Sequence, residues 1–243
     1  MYLTIDIGNS LMKTAVFDHD KMVFHGSSAY QQNNLEQAFS ELKAFHIRAG
    51  IVCSVNNESP LLSKSLKKIS QHIVNFSSGL KLPLKNKYES PETLGNDRLA
   101  MAVGATLMFP EQNVLIVDAG TCLTFDIVNH KNEYLGGSIH PGLSMRFKSL
   151  NDYTARLPLV SFSPDYNKLT GNNTQNSILS GVQYAYLQEV KQFIQLYKKS
   201  FPQLIIIITG GDGKYLAENL KMPIIADDFF LLKSLNKILL LNV

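Results

Sequence analysis

A short pattern, an aspartate followed two residues later by a glycine, occurs twice in this sequence. The copies are Asp6-Ile7-Gly8-Asn9 and Asp118-Ala119-Gly120-Thr121. Each follows an apolar run typical of a buried strand and precedes a second strand-like run. Backbone N–H groups beside a glycine can approach a phosphate closely, and aspartate oxygens are ligands that Mg²⁺ prefers. The two loops are therefore candidates for binding phosphate and metal ions.

Polar and basic residues follow the first aspartate. Asn9 and Ser10 add neutral hydrogen-bonding groups, and Lys13 adds a positive charge suited to phosphate. Asp6 could hold Mg²⁺ directly or through water. One copy alone would fit a plain hairpin with an exposed lysine equally well. Because one copy opens each half of the chain, we favour phosphate binding.

A third motif, Gly95-Asn96-Asp97-Arg98, stands at the start of a predicted helix. Phosphorylation of an alcohol needs a carboxylate near the hydroxyl as general base, and Asp97 could serve. Arg98 could then hold an acidic substrate. The spacing alone favours a structural role, because aspartate in a first helical turn stabilises the helix dipole and Arg98 would be an exposed helical residue.

A glycine-rich run, Thr209-Gly210-Gly211-Asp212-Gly213, connects a predicted buried strand to a helix. Such a helix start suits the adenosine side of a nucleotide. For this motif alone, a plain strand-to-helix connection is slightly favoured.

Cysteines and histidines indicate no metal centre. Cys53 and Cys122 stand in apolar runs without a CxxC pattern, which predicts two buried free thiols. The six histidines lack ligand spacing, so a transition metal is not expected. We assign His140 local hydrogen bonds and no catalytic role.

The composition is that of an ordinary globular protein, with 243 residues, 45% hydrophobic and 18% charged. A net charge of +3 is too small to indicate nucleic-acid binding. No apolar run approaches the roughly 20 residues that a membrane helix needs, and no signal peptide is visible. We expect a cytoplasmic protein that binds neither nucleic acid nor membrane.

Strand and helix patterns alternate, which predicts an α/β fold of two similar halves, 1–112 and 113–243. A Rossmann fold is excluded, since GxGxxG is missing and both Asp-Gly turns lead into strands. The predicted strands are 2–7, 13–18, 21–25, 50–54, 73–76, 114–117, 122–128, 133–138, 204–208 and 223–226. The predicted helices are 34–46, one that begins at Pro60, 95–108, 142–150, 175–199, 213–220 and 228–240.

Two Asp-Gly loops and a glycine-rich strand–helix turn, in this order, resemble the superfamily of sugar kinases, actin and Hsp70. The resemblance implies an actin-like, duplicated ribonuclease-H-like fold with mixed sheets, and ATP as a ligand. The chain is short for that superfamily, so we expect a small phosphoryl acceptor.

The complete set of motifs resembles the type III pantothenate kinase family over nearly the whole chain. Asn96 occupies the variable position of the family's GxDR pattern. The matching runs are Asp6-Ile7-Gly8-Asn9-Ser10-Leu11-Met12-Lys13, Gly95-Asn96-Asp97-Arg98, Asp118-Ala119-Gly120-Thr121, Gly136-Gly137-Ser138-Ile139-His140-Pro141-Gly142, Thr154-Ala155-Arg156-Leu157-Pro158, Asn173-Thr174 and Thr209-Gly210-Gly211-Asp212.

This resemblance implies ATP-dependent phosphorylation of pantothenate to 4'-phosphopantothenate, the first step of coenzyme A synthesis, by a homodimer with its substrate site near the subunit interface. It also implies a role for each matching residue. Asp6 to Lys13 and Thr121 would bind ATP, Asp6 would bind Mg²⁺, Asp118 would bind K⁺ or NH₄⁺, Asp97 would be the general base, Tyr88 and Gly95 to Arg98 would contact pantothenate, and Thr174 would reach it from the other subunit.

Two rival hypotheses stay open. An actin-like ATP-binding or transcriptional accessory protein would keep the fold without efficient catalysis, although the intact Asp6, Asp97 and Asp118 argue against it. A kinase of another small alcohol would use the same motifs. An assay with ATP, pantothenate and K⁺, extended to a panel of alcohols, separates the three.

Overall fold

The computed structural model of the protein describes residues 1–8, 11–29, 39–54, 60–77 and 79–243. The chain forms two compact units. The first unit contains Met1–Pro110 and Phe229–Val243, and the second contains Glu111–Asp228. This differs from the division predicted from the sequence, in which the second half ran from 113 to 243.

The first unit is built on a five-stranded sheet in the order β3-β2-β1-β4-β5. Strands β1, β2 and β3 are antiparallel neighbours, whereas β4 and β5 continue the sheet in parallel with β1. Alternate residues Leu3, Ile5 and Ile7 enter the main apolar core of this unit. The strands are β1 Tyr2–Ile7, β2 Leu11–Asp18, β3 Lys21–Ala29, β4 Ala49–Ser54 and β5 Ile73–Asn75.

Residues up to 110 also form short helices, one long helix and a two-residue strand that is not part of this sheet. Of the predicted helix 34–46, residues 34–38 lie outside the described residues, and the remainder contains a 3-10 helix. The prediction at 95–108 is confirmed. The elements are the 3-10 helix Glu41–Ala44, α1 Pro60–Lys67, the short strand β6 Lys85–Asn86, the 3-10 helix Pro91–Thr93 and α2 Asn96–Met108.

The second unit repeats the arrangement of the first. Strands β7, β8 and β9 are antiparallel neighbours, and β10 and β11 extend the sheet in parallel with β7. Five of the six strands of this sheet, in the order β9-β8-β7-β10-β11, therefore match β3-β2-β1-β4-β5, which is what duplication of one unit predicts. The strands are β7 Val114–Ala119, β8 Cys122–Val128, β9 Glu133–Pro141, β10 Ile205–Thr209 and β11 Ile225–Ala226.

Helices cover the apolar face formed by Leu115, Val117, Phe125 and their neighbours. The helix predicted over 175–199 contains a π turn at Ser180–Tyr184 that the sequence analysis missed. The elements are α3 Leu143–Asp152, α4 Thr174–Leu179, α5 Ala185–Ser200 and α6 Gly213–Leu220.

The π turn follows from the spacing of the apolar residues. Ile178, Val182, Tyr186, Val190 and Ile194 recur at every fourth position, and all five are buried. In an uninterrupted α-helix, each four-residue step overshoots one turn by about 40°, so the five side chains would drift around the helix. The wider π turn offsets part of this drift.

The last helix, α7 Phe230–Asn242, packs on α2 and on β1, β2 and β4 of the first unit. A Cβ atom added to Gly104 of α2 would lie 1.9 Å from Ser234 Oγ and 2.8 Å from Ser234 Cα. Glycine is thus required where α2 meets α7. Asn236 Nδ2 donates to His19 O at 2.8 Å. These contacts explain why the final helix belongs to the first unit.

Candidate active site

The carboxylate of Asp6 lies at the carboxyl end of β1, between two neighbouring strands. Its register partners are Lys13 on β2 and Cys53 on β4. Register partners project from the same face of a sheet. Asp6 and Lys13 therefore stand side by side. There a carboxylate could bind a metal ion while the ammonium group binds the phosphate that the metal accompanies.

Asp97 lies in the first turn of α2. Its Oδ1 accepts a hydrogen bond from the backbone N–H of Arg98 at 2.8 Å, as expected for an acidic side chain at a helix start. A Cβ on Gly95 would lie 2.6 Å from that Oδ1, so a side chain at Gly95 would force the carboxylate to move. Asn96 Nδ2 donates to Ser54 O at 3.4 Å, which ties the helix start to the end of β4.

Asp6 and Asp97 converge on the thiol of Cys53. Burial raises the pKa of Cys53 well above its ordinary value of 9.0, and the negative charges of Asp6 and Asp97 raise it further. The thiol is thus a neutral, buried group with both carboxylates in its electrostatic neighbourhood. Two residues that are 91 positions apart in the sequence are brought together by the β1–β4 pairing and the start of α2.

Arg98 is buried, whereas the interpretation from spacing alone expected an exposed helical residue. Its guanidinium carbon lies 5.8 Å from the centre of the Tyr88 ring, within the range of a cation–π contact. Tyr88 is half-buried. The structure therefore brings Tyr88 next to the Gly95–Arg98 motif.

The other predicted phosphate-loop residues divide into three groups. Asn9 and Ser10 lie outside the described residues. Ile7 and Met12 have their side chains in the core, so only their backbone could contact a phosphate. Leu11 is exposed and, like Met12 and Lys13, belongs to strand β2.

Asp118 occupies the matching position in the second unit. Its register partners are Thr124 on β8 and Thr209 on β10, both buried. Within the described part of the chain, the Thr124 hydroxyl has no hydrogen-bond partner. A buried hydroxyl without a partner is costly, and it stands directly opposite Asp118. The pair offers hard oxygen atoms suited to a cation.

The turn after Asp118 is enclosed on two sides by close backbone contacts. A Cβ on Gly142 would lie 2.3 Å from Thr121 O and 2.4 Å from Gly120 O. Gly210, at φ +90°, packs on Ala119, and a Cβ there would lie 2.5 Å from Asp118 Oδ1. Asp212 N donates to Ala119 O at 2.9 Å. These contacts fix the backbone of the turn.

Gly8 and Gly120, within the two Asp-Gly loops, have more space around them than Gly142 and Gly210. A Cβ on Gly8 would meet Leu11 O at 3.5 Å, and one on Gly120 would meet Asp118 Oδ1 at 3.5 Å, both ordinary contact distances. Neither glycine is required by the packing of the described residues.

Thr121 and Thr174 are both exposed. Thr174 is the first residue of α4, and Asn173 caps this helix by accepting from Asn176 N at 2.8 Å. The buried Gln183 of the π turn donates to Ser163 O at 2.7 Å, and Tyr166 OH donates to Asn176 O at 2.8 Å. This network fixes the segment that carries Thr174.

One thiol prediction is wrong. Cys53 is buried as expected, but Cys122 is exposed because it is the first residue of β8, beside the turn. In the described residues, no group of three or more His, Cys, Asp or Glu side chains is placed to hold a metal ion. Within the same ranges, no helix combines the length and apolarity needed to cross a membrane.

Three features of the site escaped the sequence analysis. They are the thiol of Cys53 beside both carboxylates, the orphan hydroxyl of Thr124 and the enclosure by Gly142 and Gly210. Gly210 could have been suspected from its place between a strand and a helix. The other features depend on strand register, which no local pattern encodes.

Comparisons with known proteins point to one family. A family model described as type III pantothenate kinase matches residues 2–196. A type III pantothenate kinase from Christiangramia forsetii is 43% identical over 247 residues, which cover 100% of this chain and 99% of that protein.

Solved structures identify the fold. A Campylobacter jejuni protein assigned to the Baf family of transcriptional activators has a TM-score of 0.62 at 22% identity, covering 99% of this chain and 98% of that one. A ROK family glucokinase from Streptomyces griseus, in complex with glucose and AMPPNP, has a TM-score of 0.53 at 12% identity, with 99% and 98% covered. The predicted actin-like fold is confirmed.

Proposed function

This chain belongs to the type III pantothenate kinase family, and from that premise we propose how its residues share the work of phosphoryl transfer. The enzyme is an ATP-dependent kinase that phosphorylates pantothenate, the first step of coenzyme A biosynthesis. The family implies ATP together with a divalent metal ion. The assignments below concern the individual residues, the identity of the ions and the assembly.

Asp97 is the proposed general base. The hydroxyl oxygen of pantothenate attacks the γ-phosphorus of ATP, the bond from that phosphorus to the bridging oxygen breaks, and ADP leaves with the bond's electrons. The proton of the hydroxyl passes to the Asp97 carboxylate. The Arg98 N–H bond to Oδ1 fixes the orientation of this carboxylate.

Lys13 and Asp6 serve the phosphates. Lys13 balances negative charge that develops on the transferred group, and its compact ammonium group suits this role. Asp6 carries oxygens that fit Mg²⁺, which is commonly bound by one or two carboxylates together with nucleotide phosphates. Bound there, Mg²⁺ would neutralise charge on the phosphate oxygens. The backbone from Gly8 onward, including the predicted Asn9 and Ser10, completes the proposed phosphate loop.

Arg98 and Tyr88 are the proposed contacts for pantothenate, with Gly95 and Asn96. Pantothenate carries a carboxylate, and a guanidinium group can bind a carboxylate through two parallel hydrogen bonds. The Tyr88 ring, 5.8 Å from the Arg98 guanidinium carbon, would hold that group in place.

Asp118 is the proposed ligand of a monovalent cation, K⁺ or NH₄⁺. Its carboxylate and the orphan hydroxyl of Thr124 fit such an ion, since a bound cation would give that hydroxyl a partner. Thr121, in the same turn, is the proposed contact for ATP. The cation would supply positive charge near the nucleotide phosphates.

We also propose a homodimer in which Thr174 reaches the pantothenate of the partner subunit. The exposed side chain of Thr174 at a capped helix start is compatible with contact to a second chain. The proposed location is the cytoplasm, where ATP is abundant.

The meeting of the ends of β1 and β4 with the start of α2 carries this proposal. Asp6 is the register partner of Cys53, and Asn96, the neighbour of Asp97, donates to Ser54 O at 3.4 Å. These contacts bring the proposed metal-binding carboxylate near the proposed base. The test is ADP release from purified protein with ATP, Mg²⁺, pantothenate and K⁺. We expect release that requires pantothenate, and a product whose mass is that of phosphopantothenate. Folded protein that binds ATP but releases no ADP with pantothenate would contradict the proposal. A panel of other small alcohols completes the assay.

A further inference from the structure

The side chain of Arg146 is the centre of a charged network in the second unit. Its two terminal nitrogens donate to Glu189 Oε2 at 2.7 Å and Oε1 at 2.9 Å, a bidentate pair between α3 and α5. Arg146 and Glu189 side chains are only 18% and 26% exposed. The arginine lowers the pKa of Glu189, and the carboxylate is therefore charged at neutral pH.

A third bond extends from this pair to the end of β9. Arg146 Nε donates to Pro141 O at 2.8 Å, and Arg146 N donates to Gly142 O at 3.0 Å. His140 Nδ1 lies 2.9 Å from Glu189 Oε1, and its Nε2 lies 2.8 Å from Ser138 Oγ. Residues 140–142 are therefore held by contacts to the side chains of both Arg146 and Glu189.

Residues 140–142, the end of β9 and the residue after it, contact the turn that follows Asp118. Gly142 N donates to Thr121 O at 3.2 Å, and the close approach of Gly142 to Gly120 O and Thr121 O leaves no room for adjustment. Pro141 and His140 are also the register partners of Cys122 and Leu123. A displacement of 140–142 would therefore move the backbone of the turn.

We propose that Arg146 and Glu189 are positioning residues that hold the Asp118–Thr121 turn in its ligand-binding conformation. This inference rests on the proposed function of that turn in binding ATP and a monovalent cation. Neither side chain needs to touch a ligand. They act through Pro141 and Gly142.

A simpler role, joining α3 to α5, would need only the bidentate pair. The bond from Nε to Pro141 O adds nothing to that joint, yet it uses the remaining donor edge of the guanidinium. Arg146 also lies over the ring of the buried Tyr186, at 5.1 Å from its centre, which restricts the orientation of the guanidinium plane. A lysine could not form all three bonds at once.

The test compares Arg146→Met and Glu189→Gln with Lys148→Met, which removes an exposed charge from the same helix. Steady-state assays measure the KM for ATP, the KM for pantothenate and the K⁺ concentration for half-maximal activity. In both variants we expect the KM for ATP and the K⁺ concentration for half-maximal activity to rise about tenfold. This is the lower end of the loss of metal affinity that follows removal of an outer-shell partner. The KM for pantothenate should stay within twofold. The control should match the wild type.

A second measurement separates this inference from the proposed function. Calorimetric titration with ATP and Mg²⁺, and the shift in melting temperature on adding K⁺, need no turnover. Weaker ATP binding and a smaller K⁺ shift in Arg146→Met support the inference even if the wild type does not phosphorylate pantothenate.

ATP and K⁺ binding should be only slightly weaker in the double variant than in either single variant, since the two substitutions break the same network. Arg146→Lys should recover part of the binding loss. Wild-type ATP and K⁺ binding in folded Arg146→Met would overturn the inference. Equal losses for ATP and pantothenate would also overturn it, because they indicate a general structural role.

Discussion

The two units of this protein share one backbone plan and differ in the side chains beside one aspartate. Asp6 is flanked by Lys13 and Cys53, whereas Asp118 is flanked by Thr124 and Thr209. Each aspartate is the last but one residue of the central strand in its sheet. The duplicated scaffold supplies a carboxylate twice, and the register partners give it an ammonium group in one unit and hydroxyl groups in the other.

The different roles proposed for the two aspartates follow from this difference in neighbouring side chains. A lysine beside a carboxylate suits a metal–phosphate ligand, because both signs of charge are present. Two hydroxyls beside a carboxylate suit a weakly hydrated monovalent cation, because all groups are oxygen donors. The first unit also places the carboxylate of Asp97 at the start of α2, where Asn96 bonds to the end of β4.

The largest effect should come from Asp97→Asn, which tests whether catalysis belongs to the first unit. We expect kcat to fall about 10²- to 10⁴-fold, the range for loss of a general base. ATP binding and melting temperature should be nearly unchanged, since an amide oxygen can still accept the Arg98 N–H bond. Glu92→Gln, an exposed carboxylate five residues earlier, is the control. Activity within severalfold of wild type would remove Asp97 from the base role.

Lys13→Met tests the positive charge that distinguishes the first unit. A hydrogen bond to a charged group is worth about 1.5–3 kcal/mol, so kcat/KM for ATP should fall about 10- to 100-fold. The K⁺ dependence should not change. Lys21→Met, on the exposed start of β3, is the matched control. An equal loss in both variants would mean that net charge, and not position, matters.

Gly104→Ala tests the contact between α2 and α7 within the first unit. The added methyl would overlap Ser234, and we expect a loss of about 1–3 kcal/mol of stability. The control is Gly181→Ala in the second unit, where a Cβ would meet nothing within 4 Å. Thermal or urea unfolding measures both, and equal stabilities would contradict the crowding at α2 and α7.

Thr124→Val tests the oxygen environment of Asp118 and should have the smallest effect. Valine has nearly the same shape and removes a buried hydroxyl without a partner, so stability without K⁺ should rise slightly. The K⁺-induced shift in melting temperature should shrink. Thr106→Val, which removes a buried hydroxyl bonded to Ala102 O, should keep that shift. A full K⁺ shift in Thr124→Val would exclude the hydroxyl as a ligand.

Much of the fold could be predicted from local patterns, and the reason is visible in individual residues. Apolar runs such as Val114–Val117 predicted the strands, and the repeated Asp-Gly turn predicted the duplication. Cys122 was misjudged because its apolar neighbours predicted burial, whereas its place at the first position of β8 exposes it. The assignment of α7 to the first unit also escaped, because its partners on β1 and α2 are distant in sequence.

The site was predictable as a set of motifs and much less as a geometry. The repeated Asp-Gly loop pointed to Asp6 and Asp118, and the resemblance to a family favoured Asp97 as the base. No sequence pattern places Cys53 beside Asp6 and Asp97. The pairing of Arg146 with Glu189 joins residues 43 positions apart on different helices. Such contacts are set by strand register and helix packing, which are decided only when the whole unit folds.

The order of the two units along the chain has a consequence for biosynthesis. Residues of the second unit are translated before α7, so α2 lacks this packing partner in any chain that ends before residue 230. In such a chain the inserted unit is complete, whereas the unit that surrounds it in sequence is not. Released chains truncated shortly before residue 230 should therefore hold a protease-resistant second unit and a protease-sensitive first one.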